Sequence, residues 1–198
     1  VPGRLKQKVN LQSIQALITM VNKYPGKNFF TKLRSGKPVK AIRKFVDIYS
    51  NSRTTWADLK FLRAQTKLPI LLKGILHPED ALKAIDSGMD GIYVSNHGGR
   101  QVDGSIAPIS ALPEIVRVVK GKVPILLDSG IRCGADAFKA LALGATAVCI
   151  GRPYAYGLAI GGQQGVNEVL MNLMSDLELT MGLAGCKNIR EINGNMLA

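Results

Sequence analysis

A segment of this chain is repeated about 55 residues further on, and this repeat limits the possible folds more than any other feature. The run LPILL at 68–72 recurs as VPILL at 123–127. Beyond it, Asp80-Ala81, Lys83-Ala84 and Gly88 recur 56 residues later as Asp136-Ala137, Lys139-Ala140 and Gly144. The next apolar run, GIYVS at 91–95, has its counterpart in AVCIG at 147–151. Each copy therefore predicts a strand, a helix and a second strand.

The repeat and the apolar runs around it predict four strand and helix pairs in tandem. Strands are predicted at 69–73, 91–95, 124–128 and 147–151, and helices at 78–87, 109–119, 134–143 and 164–183. Short apolar strands without polar alternation, each followed by a helix, indicate a parallel sheet that is buried on both faces. The predicted class is α/β, and the four units are interpreted as strands five to eight, half of a (β/α)8 TIM barrel. An open doubly wound sheet is the competing fold, although the chain has no Gly-rich dinucleotide fingerprint.

The hexapeptide SNHGGR at 95–100 directly follows the second predicted strand. His97 and Arg100 therefore lie just past the carboxyl end of a strand, where parallel α/β folds place their chemistry. A base and a fixed cation three residues apart are able to take a proton from a substrate while holding its carboxylate. On these six residues alone, a capped turn with an incidental imidazole is an equally good interpretation.

The other predicted strands also end in polar or charged residues, which a purely structural barrel does not require. Lys73 by itself is a typical surface lysine, but at a barrel mouth it places positive charge against an anionic cofactor. Small residues and arginines at the last two strand ends predict a phosphate site. This predicted site consists of Asp128, Ser129, Gly130, Ile131, Arg132, Gly151 and Arg152. Asp128 taken alone is equally well explained as a helix cap.

Several reactive side chains are assigned structural positions instead. His77 is interpreted as the start of a helix before Pro78, and Cys149 as a small core residue. Tyr154 and Tyr156 are expected to flank the loop after the last strand. The three cysteines have neither zinc-ligand nor disulfide spacing, so no metal site is predicted.

The positive charge of the chain is concentrated at its beginning. Residues 1–73 hold 16 lysines and arginines against 2 acidic residues, within a net charge of +12 for the whole chain. Binding to nucleic acid or to a membrane surface is one interpretation. A solvated basic segment is preferred, because no aromatic stacking platform accompanies the charge.

The same part of the chain gives weak signals of secondary structure. Apolar residues at helical spacing predict one helix between Leu11 and Val21, and a further helix is expected to open at Thr55 with a capping residue. No apolar run is long enough to cross a bilayer and no signal peptide is recognisable, which predicts a cytoplasmic protein.

Four motifs together resemble the FMN-dependent α-hydroxy acid dehydrogenase and oxidase family. They are LKG at 72–74, VSNHGGRQ at 94–101, LDSGIR at 127–132 and FKALALGA at 138–145, followed by IGRP at 150–153. The resemblance extends from about residue 55 to the C-terminus. The stretches GRPYAYGLAI at 151–160 and LTMGLAGC at 179–186 are most similar to the lactate oxidase and lactate 2-monooxygenase members.

The resemblance implies an oxidoreductase that uses FMN to convert a small L-2-hydroxy acid into the 2-oxo acid or its decarboxylated product, with O2 as acceptor. His97 would be the base, and Arg100 would bind the substrate carboxylate. Lys73 and Ser95 would contact the flavin ring. The predicted phosphate site would hold the ribityl phosphate. The full-length enzyme would be a homo-oligomer.

The resemblance also implies a division of the chain at residues 54 and 55. Residues 55–198 would form the second half of the barrel, and residues 1–54 would be the loop that follows the fourth strand and covers the active site. Val1-Pro2-Gly3-Arg4 resembles the end of the segment just after that strand. The hypothesis is that the chain is a fragment or split gene product and needs strands one to four from another chain.

Two functions of other classes remain open from the sequence. The first is a half barrel without catalytic activity that binds phosphate or flavin or serves as an interaction module. The second is nucleic-acid binding through the basic residues of 1–73. The motifs favour the enzyme, with neither nucleic acid nor membrane as its partner.

Overall fold

The computed structural model describes residues 10–49 and 53–197 of the chain. Its contacts divide the protein into two compact units, with the division between Thr55 and Trp56. Residues 1–4, for which the sequence predicts a position after the fourth strand, lie outside the described residues. Among the residues that are described, no helix combines the length and the apolar composition that a membrane crossing requires.

Three helices make up most of the described part of the first unit. They are α1 (Leu11–Lys23), α2 (Phe29–Ser35) and α3 (Lys37–Tyr49). Asn10 and Ser13 form a reciprocal capping box at the start of α1, and the Asn28 side chain caps α2. The helix predicted between Leu11 and Val21 is confirmed, whereas α2 and α3 were not predicted, because their few apolar residues stand among many lysines and arginines.

The second unit alternates strands and helices. Its helices are α4 (Asp58–Gln65), α5 (Pro78–Asp86), α6 (Pro108–Val119), α7 (Gly134–Ala142) and α8 (Arg152–Leu183). Its strands are β1 (Leu71–Ile75), β2 (Gly91–Val94), β3 (Ile125–Leu127) and β4 (Ala147–Val148). All three strand pairs are parallel and the spatial order is β1-β2-β3-β4, so the predicted α/β class with a parallel sheet is confirmed.

The two faces of the sheet differ in burial. Ile92 and Val94 of β2 pair in register with Ile125 and Leu127 of β3, and these four side chains are at most 4% exposed. They belong to the main core together with apolar residues of α5, α6 and α7. On the other face Lys73 is exposed while Tyr93 and Leu126 are half-buried. The predicted burial of both faces is therefore wrong for the described residues, because the core-forming helices cover one face.

Several predicted boundaries are corrected. In α8, Gly161 and Gly162 have non-helical backbone angles and separate two helical segments. The second segment corresponds to the helix predicted at 164–183, whereas the first, which begins at Arg152, was not predicted. Tyr154 and Tyr156, expected to flank the loop after the last strand, lie in the first helical segment. The helix predicted to open at Thr55 begins at Asp58, with Ala57 at the N-cap and no side-chain cap from that residue. His77 caps α5 as predicted, since its Nδ1 accepts a hydrogen bond from the Glu79 N–H at 3.3 Å.

Candidate active site

The hydroxyl of Ser95 is the centre of a polar cluster at the carboxyl ends of the strands. Ser95 is 1% exposed and is the one buried polar side chain of the main core among the described residues. Its Oγ accepts hydrogen bonds from Lys73 Nζ at 2.7 Å and from the His97 N–H at 3.0 Å. The ends of β1 and β2 are therefore joined through one buried atom, and this bonding accounts for a buried polar group in an apolar core.

The ammonium group of Lys73 is fixed by three neighbours. Besides Ser95, it contacts Asp128 Oδ2 at 3.0 Å and lies 4.8 Å from the centre of the Tyr93 ring. Partial burial opposes ionisation of Asp128, but hydrogen bonds from Ser129, Ser95 and Lys73 and the Lys73 charge outweigh it and lower the Asp128 pKa. The site thus contains an ionised pair, with the cation held in place before any ligand arrives.

Ser129 connects this cluster with the loop after β2. Its Oγ donates to Asp128 Oδ1 at 2.6 Å and accepts from the Gly98 N–H at 2.9 Å. Its backbone is left-handed, with φ 70°, which is uncommon for a residue with a side chain.

The loop after β2 brings His97 and Arg100 to the surface of the site. His97 also has a left-handed backbone, with φ 56°, and the Gly99 N–H is capped by Asn96 Oδ1 at 3.1 Å. Both the imidazole and the Arg100 guanidinium are exposed. Their accessibility fits groups that meet a small molecule rather than groups that hold the core together.

One cavity of about 370 Å³ contains most of the residues predicted from the sequence. A cavity of this size is within the range of small-molecule sites. Its walls include Lys73, His97, Arg100, Asp128, Ser129, Gly130, Ile131, Arg132, Gly151 and Arg152. Ser95 does not line this cavity. It is buried beneath the wall, where its hydroxyl binds Lys73 and the His97 N–H. A larger cavity of about 730 Å³ lies between α8 and residues 187–190 and contains none of the predicted site residues.

The part of the cavity predicted to bind phosphate has the features of an anion site. Gly151 occupies the N-cap of α8 and gives this helix no side-chain cap. The N–H groups of Arg152 and Tyr154 in the first turn of α8 therefore remain available to an anion, whereas Pro153 between them has none. Gly130 has φ 118°, a conformation that only glycine adopts easily, and Ile131 is 6% exposed and anchors the loop in the core.

Several residues that the sequence interpretation did not assign to the site also lie in or beside it. Tyr154, set aside as a residue flanking a loop, lines the cavity together with Pro153 and Ala155. Cys149, predicted to be a core residue, is half-buried and lines the cavity. Tyr93 pairs in register with Lys73, and burial, together with Cys149 and Asp128, raises the Tyr93 pKa above its ordinary value. The sequence did not place Cys149 and Tyr93 at the site, because an unbroken apolar run does not reveal which way alternate residues of a short strand point.

No metal site is apparent in the part of the chain that the structure describes. No group of three or more histidine, cysteine, aspartate or glutamate side chains is gathered there. The site instead consists of three arginines, a lysine, an imidazole and free backbone N–H groups. This set of donors suits an organic anion with a phosphate group.

The fold and the site together define a class of protein: a parallel α/β domain whose strand-end loops surround an anion-binding cavity with an imidazole at its mouth. Residues 3–198 match the model of a family described as FMN-dependent dehydrogenase. The chain belongs to this family, and the resemblance inferred from its motifs is confirmed.

Known relatives and solved structures agree with this membership. A peroxisomal (S)-2-hydroxyacid oxidase of Arabidopsis thaliana is 52% identical over 84% of this chain and 46% of its own length. An L-lactate oxidase of Lysinibacillus sphaericus is 60% identical over 68% of this chain and 35% of its own length. A solved mandelate oxidase mutant with the monooxide FMN adduct superposes with a TM-score of 0.69 and 49% identity, over 71% of this chain and 45% of that chain. The chain thus spans less than half the length of these proteins.

Proposed function

We propose that this chain is the flavin- and substrate-binding half of an FMN-dependent oxidoreductase that oxidises a small L-2-hydroxy acid, with lactate as the model substrate. The product is the 2-oxo acid or its decarboxylated derivative, and O2 is the electron acceptor. One observation carries the proposal: the cation of Lys73, the imidazole of His97 and the guanidinium of Arg100 share one cavity with an anion-binding helix start. The names of the two relatives, an (S)-2-hydroxyacid oxidase and an L-lactate oxidase, support the substrate class.

The residues of the cavity fit FMN in charge and in kind. In this proposal Arg132, Arg152 and the first N–H groups of α8 hold the phosphate. The loop of Asp128, Ser129, Gly130 and Ile131 follows the ribityl chain. Lys73 and Ser95 face the ring, where the fixed ammonium stabilises negative charge. When bound, FMN supplies the capacity to accept the two electrons that leave the substrate.

The substrate is held and deprotonated by the loop after β2. Arg100 binds its carboxylate through two parallel N–H donors, which fixes the substrate carbon relative to the imidazole. An imidazole nitrogen of His97 then accepts a proton from the hydroxy acid. Both side chains are exposed in the described structure, so a small molecule reaches them without displacing the core.

We further propose that the parallel sheet is half of a (β/α)8 barrel, formed by residues 55–198, and that residues 1–54 are the basic segment that follows strand four. Strands β1 and β4 are the two outer strands of the sheet, so each offers an unpaired edge to a further strand. The uncovered face carries the exposed Lys73, which suits the interior of a barrel mouth better than a permanent outer surface. The first four strands come from the same polypeptide or from another chain, and the complete enzyme is a homo-oligomer.

Binding of FMN and of riboflavin distinguishes this function from the alternatives. The assembled protein is expected to bind FMN more tightly than riboflavin, because riboflavin has no phosphate. Arg132→Gln should weaken FMN binding by roughly tenfold or more, the effect of losing one charge-assisted hydrogen bond, and should leave riboflavin binding unchanged.

Arg190→Gln is the matched control, because Arg190 is exposed and lines the other cavity. Equal affinity for FMN and riboflavin, or no uptake of either, would contradict the proposed site. Tight FMN binding without any oxidation of hydroxy acids would favour the alternative of a flavin-binding module without activity.

A further inference from the structure

Gly98 is held on both sides by residues from the two loops that we assign to phosphate binding. Its N–H donates to Ser129 Oγ at 2.9 Å. On the other side of Gly98, the carbonyl oxygen accepts from Arg152 Nη2 at 2.7 Å. Ser129 follows β3 and Arg152 begins α8, so two separate strand ends hold the backbone of a third.

Gly98 is suited to this arrangement by its lack of a side chain. Its φ is 67°, and a Cβ at this position would lie 3.2 Å from Arg152 Nη1. That distance is shorter than an ordinary van der Waals contact, so a side chain would push the guanidinium away from the carbonyl it binds. The loop therefore fits closely against Arg152.

The hydroxyl of Ser129 has one possible direction in this network. An ionised carboxylate accepts hydrogen bonds and donates none, so the single proton of Ser129 goes to Asp128 Oδ1 at 2.6 Å. The lone pairs of Ser129 Oγ are then free to accept the Gly98 N–H. Asp128 orients the hydroxyl, and the hydroxyl in turn orients the loop.

These bonds fix the backbone of His97 on both sides. The His97 N–H donates to Ser95 Oγ at 3.0 Å, which restrains φ, and the Gly98 N–H donates to Ser129 Oγ, which restrains ψ. His97 has φ 56°, a conformation that persists only when its surroundings impose it. The direction of the imidazole follows from this backbone conformation.

From this geometry we infer that Ser129 is a positioning residue for His97, in addition to any contact it makes with a cofactor. The inference rests on the proposed function, because it assigns to Ser129 the task of aiming the base of that reaction. The backbone of Ser129 itself is left-handed, with φ 70°, a conformation that glycine adopts with less strain. A serine at such a position is explained by what its hydroxyl binds.

Ser129→Gly tests the inference, because it removes the hydroxyl while keeping a residue that adopts positive φ easily. Hydrogen exchange at the Gly98 amide of the full chain, followed by NMR, is expected to become about tenfold faster, the effect of one lost hydrogen bond. In the assembled holoenzyme saturated with FMN, kcat for L-lactate should fall roughly 10-fold to 100-fold. The KM should change less than about twofold, because Asn96 still caps Gly99 beside Arg100.

Lys120→Gly is the matched control. Lys120 has φ 53° and ends α6, away from the cavity, so this change relieves the same kind of backbone strain without removing a hydroxyl from the site. Gly98 exchange and kcat should both stay at the wild-type value in this variant. If Ser129→Gly does not fold, Ser129→Ala removes the same hydroxyl and gives the same two readouts.

The outcomes separate this inference from the function on which it rests. Unchanged exchange at Gly98 in the Ser129 variants would overturn it, and so would faster exchange with unchanged kcat. A wild-type protein that takes up FMN but does not oxidise hydroxy acids would overturn the proposed function, while the exchange experiment would still decide whether Ser129 holds Gly98.

Discussion

Two residues with side chains, His97 and Ser129, have left-handed backbones within one cavity of this protein. Each such conformation costs of order 1 to 3 kcal/mol and is found mainly where the structure serves a ligand. The hydrogen bonds of Ser95 and Ser129 maintain both conformations. At the scale of single residues, the site is therefore rigid before a ligand binds, which favours catalysis by positioning.

The two histidines of the chain provide a direct comparison of functional and structural imidazoles. His97→Ala in the assembled holoenzyme should lower kcat by about 10²-fold to 10⁴-fold, the usual contribution of a general base, while FMN stays bound. His77→Ala should leave kcat unchanged and cost about 1 kcal/mol of stability, because it removes the cap of α5. Loss of FMN along with activity in His97→Ala would contradict the assignment of His97 as the base.

The pair of Lys73 and Asp128 predicts a particular dependence of stability on pH. The folded-state pKa of Asp128 lies below the ordinary value of 3.8, so its ionised form contributes stability above that value. This stability is lost as the pH falls through the lower folded-state pKa. A double-mutant cycle of Lys73→Met and Asp128→Asn should give a coupling free energy of about 1 kcal/mol at neutral pH, because the pair is partly exposed.

The same cycle repeated at decreasing pH should show the coupling disappear as Asp128 becomes protonated. Urea unfolding of the four proteins at each pH provides the measurement. A coupling that is absent at neutral pH, or that grows in acid, would mean that the ion pair does not stabilise the site.

Single residues of the site were predictable where their chemistry is visible in the sequence. His97, Arg100 and the DSGIR loop at 128–132 were found because polar groups follow apolar strands. The left-handed backbones, the bond from Ser129 to Gly98 and the contact of Arg152 with Gly98 were not, since they depend on the distance between loops that are 31 and 54 residues apart.

At the scale of elements, the start of α8 is the clearest departure from what the sequence predicted. The sequence GLAIGGQQG at 157–165 contains four glycines, and no helix was predicted between the last strand and residue 164. In the structure these residues belong to two helical segments that meet at Gly161 and Gly162, and Gly157 lies directly against the backbone of Gly165. Glycine is used here for close packing of two helical segments, and composition alone does not distinguish this use from a flexible loop.

This packing gives a stability prediction. A Cβ on residue 157 would lie 2.5 Å from the Gly165 carbonyl oxygen. This is a backbone atom, so relieving the clash would require the helix itself to shift. Gly157→Ala should therefore destabilise the protein by about 1 to 3 kcal/mol in thermal or urea unfolding. Gly182→Ala, in the last turn of the same helix with no atom within 4 Å, should instead stabilise it by about 0.5 to 1 kcal/mol. Equal effects of the two changes would contradict the close contact.

The strands and the helices between them were easier to predict than the ends of α8. Each copy of the repeat places a strand, a helix and a strand at fixed spacing, and α5, α6 and α7 lie within one or two residues of their predicted bounds. β1 begins at Leu71 instead of 69, because Pro69 has no N–H and the Ile70 N–H donates to the Asp90 carboxylate at 2.7 Å.

At the scale of the whole molecule, the sheet has one face packed on helices and one that carries the candidate site. Its outer strands β1 and β4 have free edges among the described strands, and Leu71 at one edge is 36% exposed. Such edges favour pairing with further strands. We propose that four more strand and helix pairs complete the barrel, in keeping with relatives of which the matched part of this chain covers less than half.

No sequence pattern could predict which face of the sheet is covered by helices. Apolar strands looked equally buried on both sides, since Leu71, Tyr93 and Leu126 are as hydrophobic as the residues of the packed face. Burial depends on which layers meet each face, and this is a property of the assembled fold. In contrast, the family was predictable, because its motifs lie at the ends of strands, where the chemistry restricts the residue types.

The most direct test of the central claim is reduction of the FMN-loaded, assembled protein by L-lactate in the absence of oxygen. The yellow flavin absorbance is expected to bleach with L-lactate, to return when O2 is admitted and to persist when D-lactate is added instead. The same protein with His97→Ala should remain yellow with L-lactate. A protein that binds FMN but keeps its full colour with L-lactate and with other small L-2-hydroxy acids would contradict the proposed function.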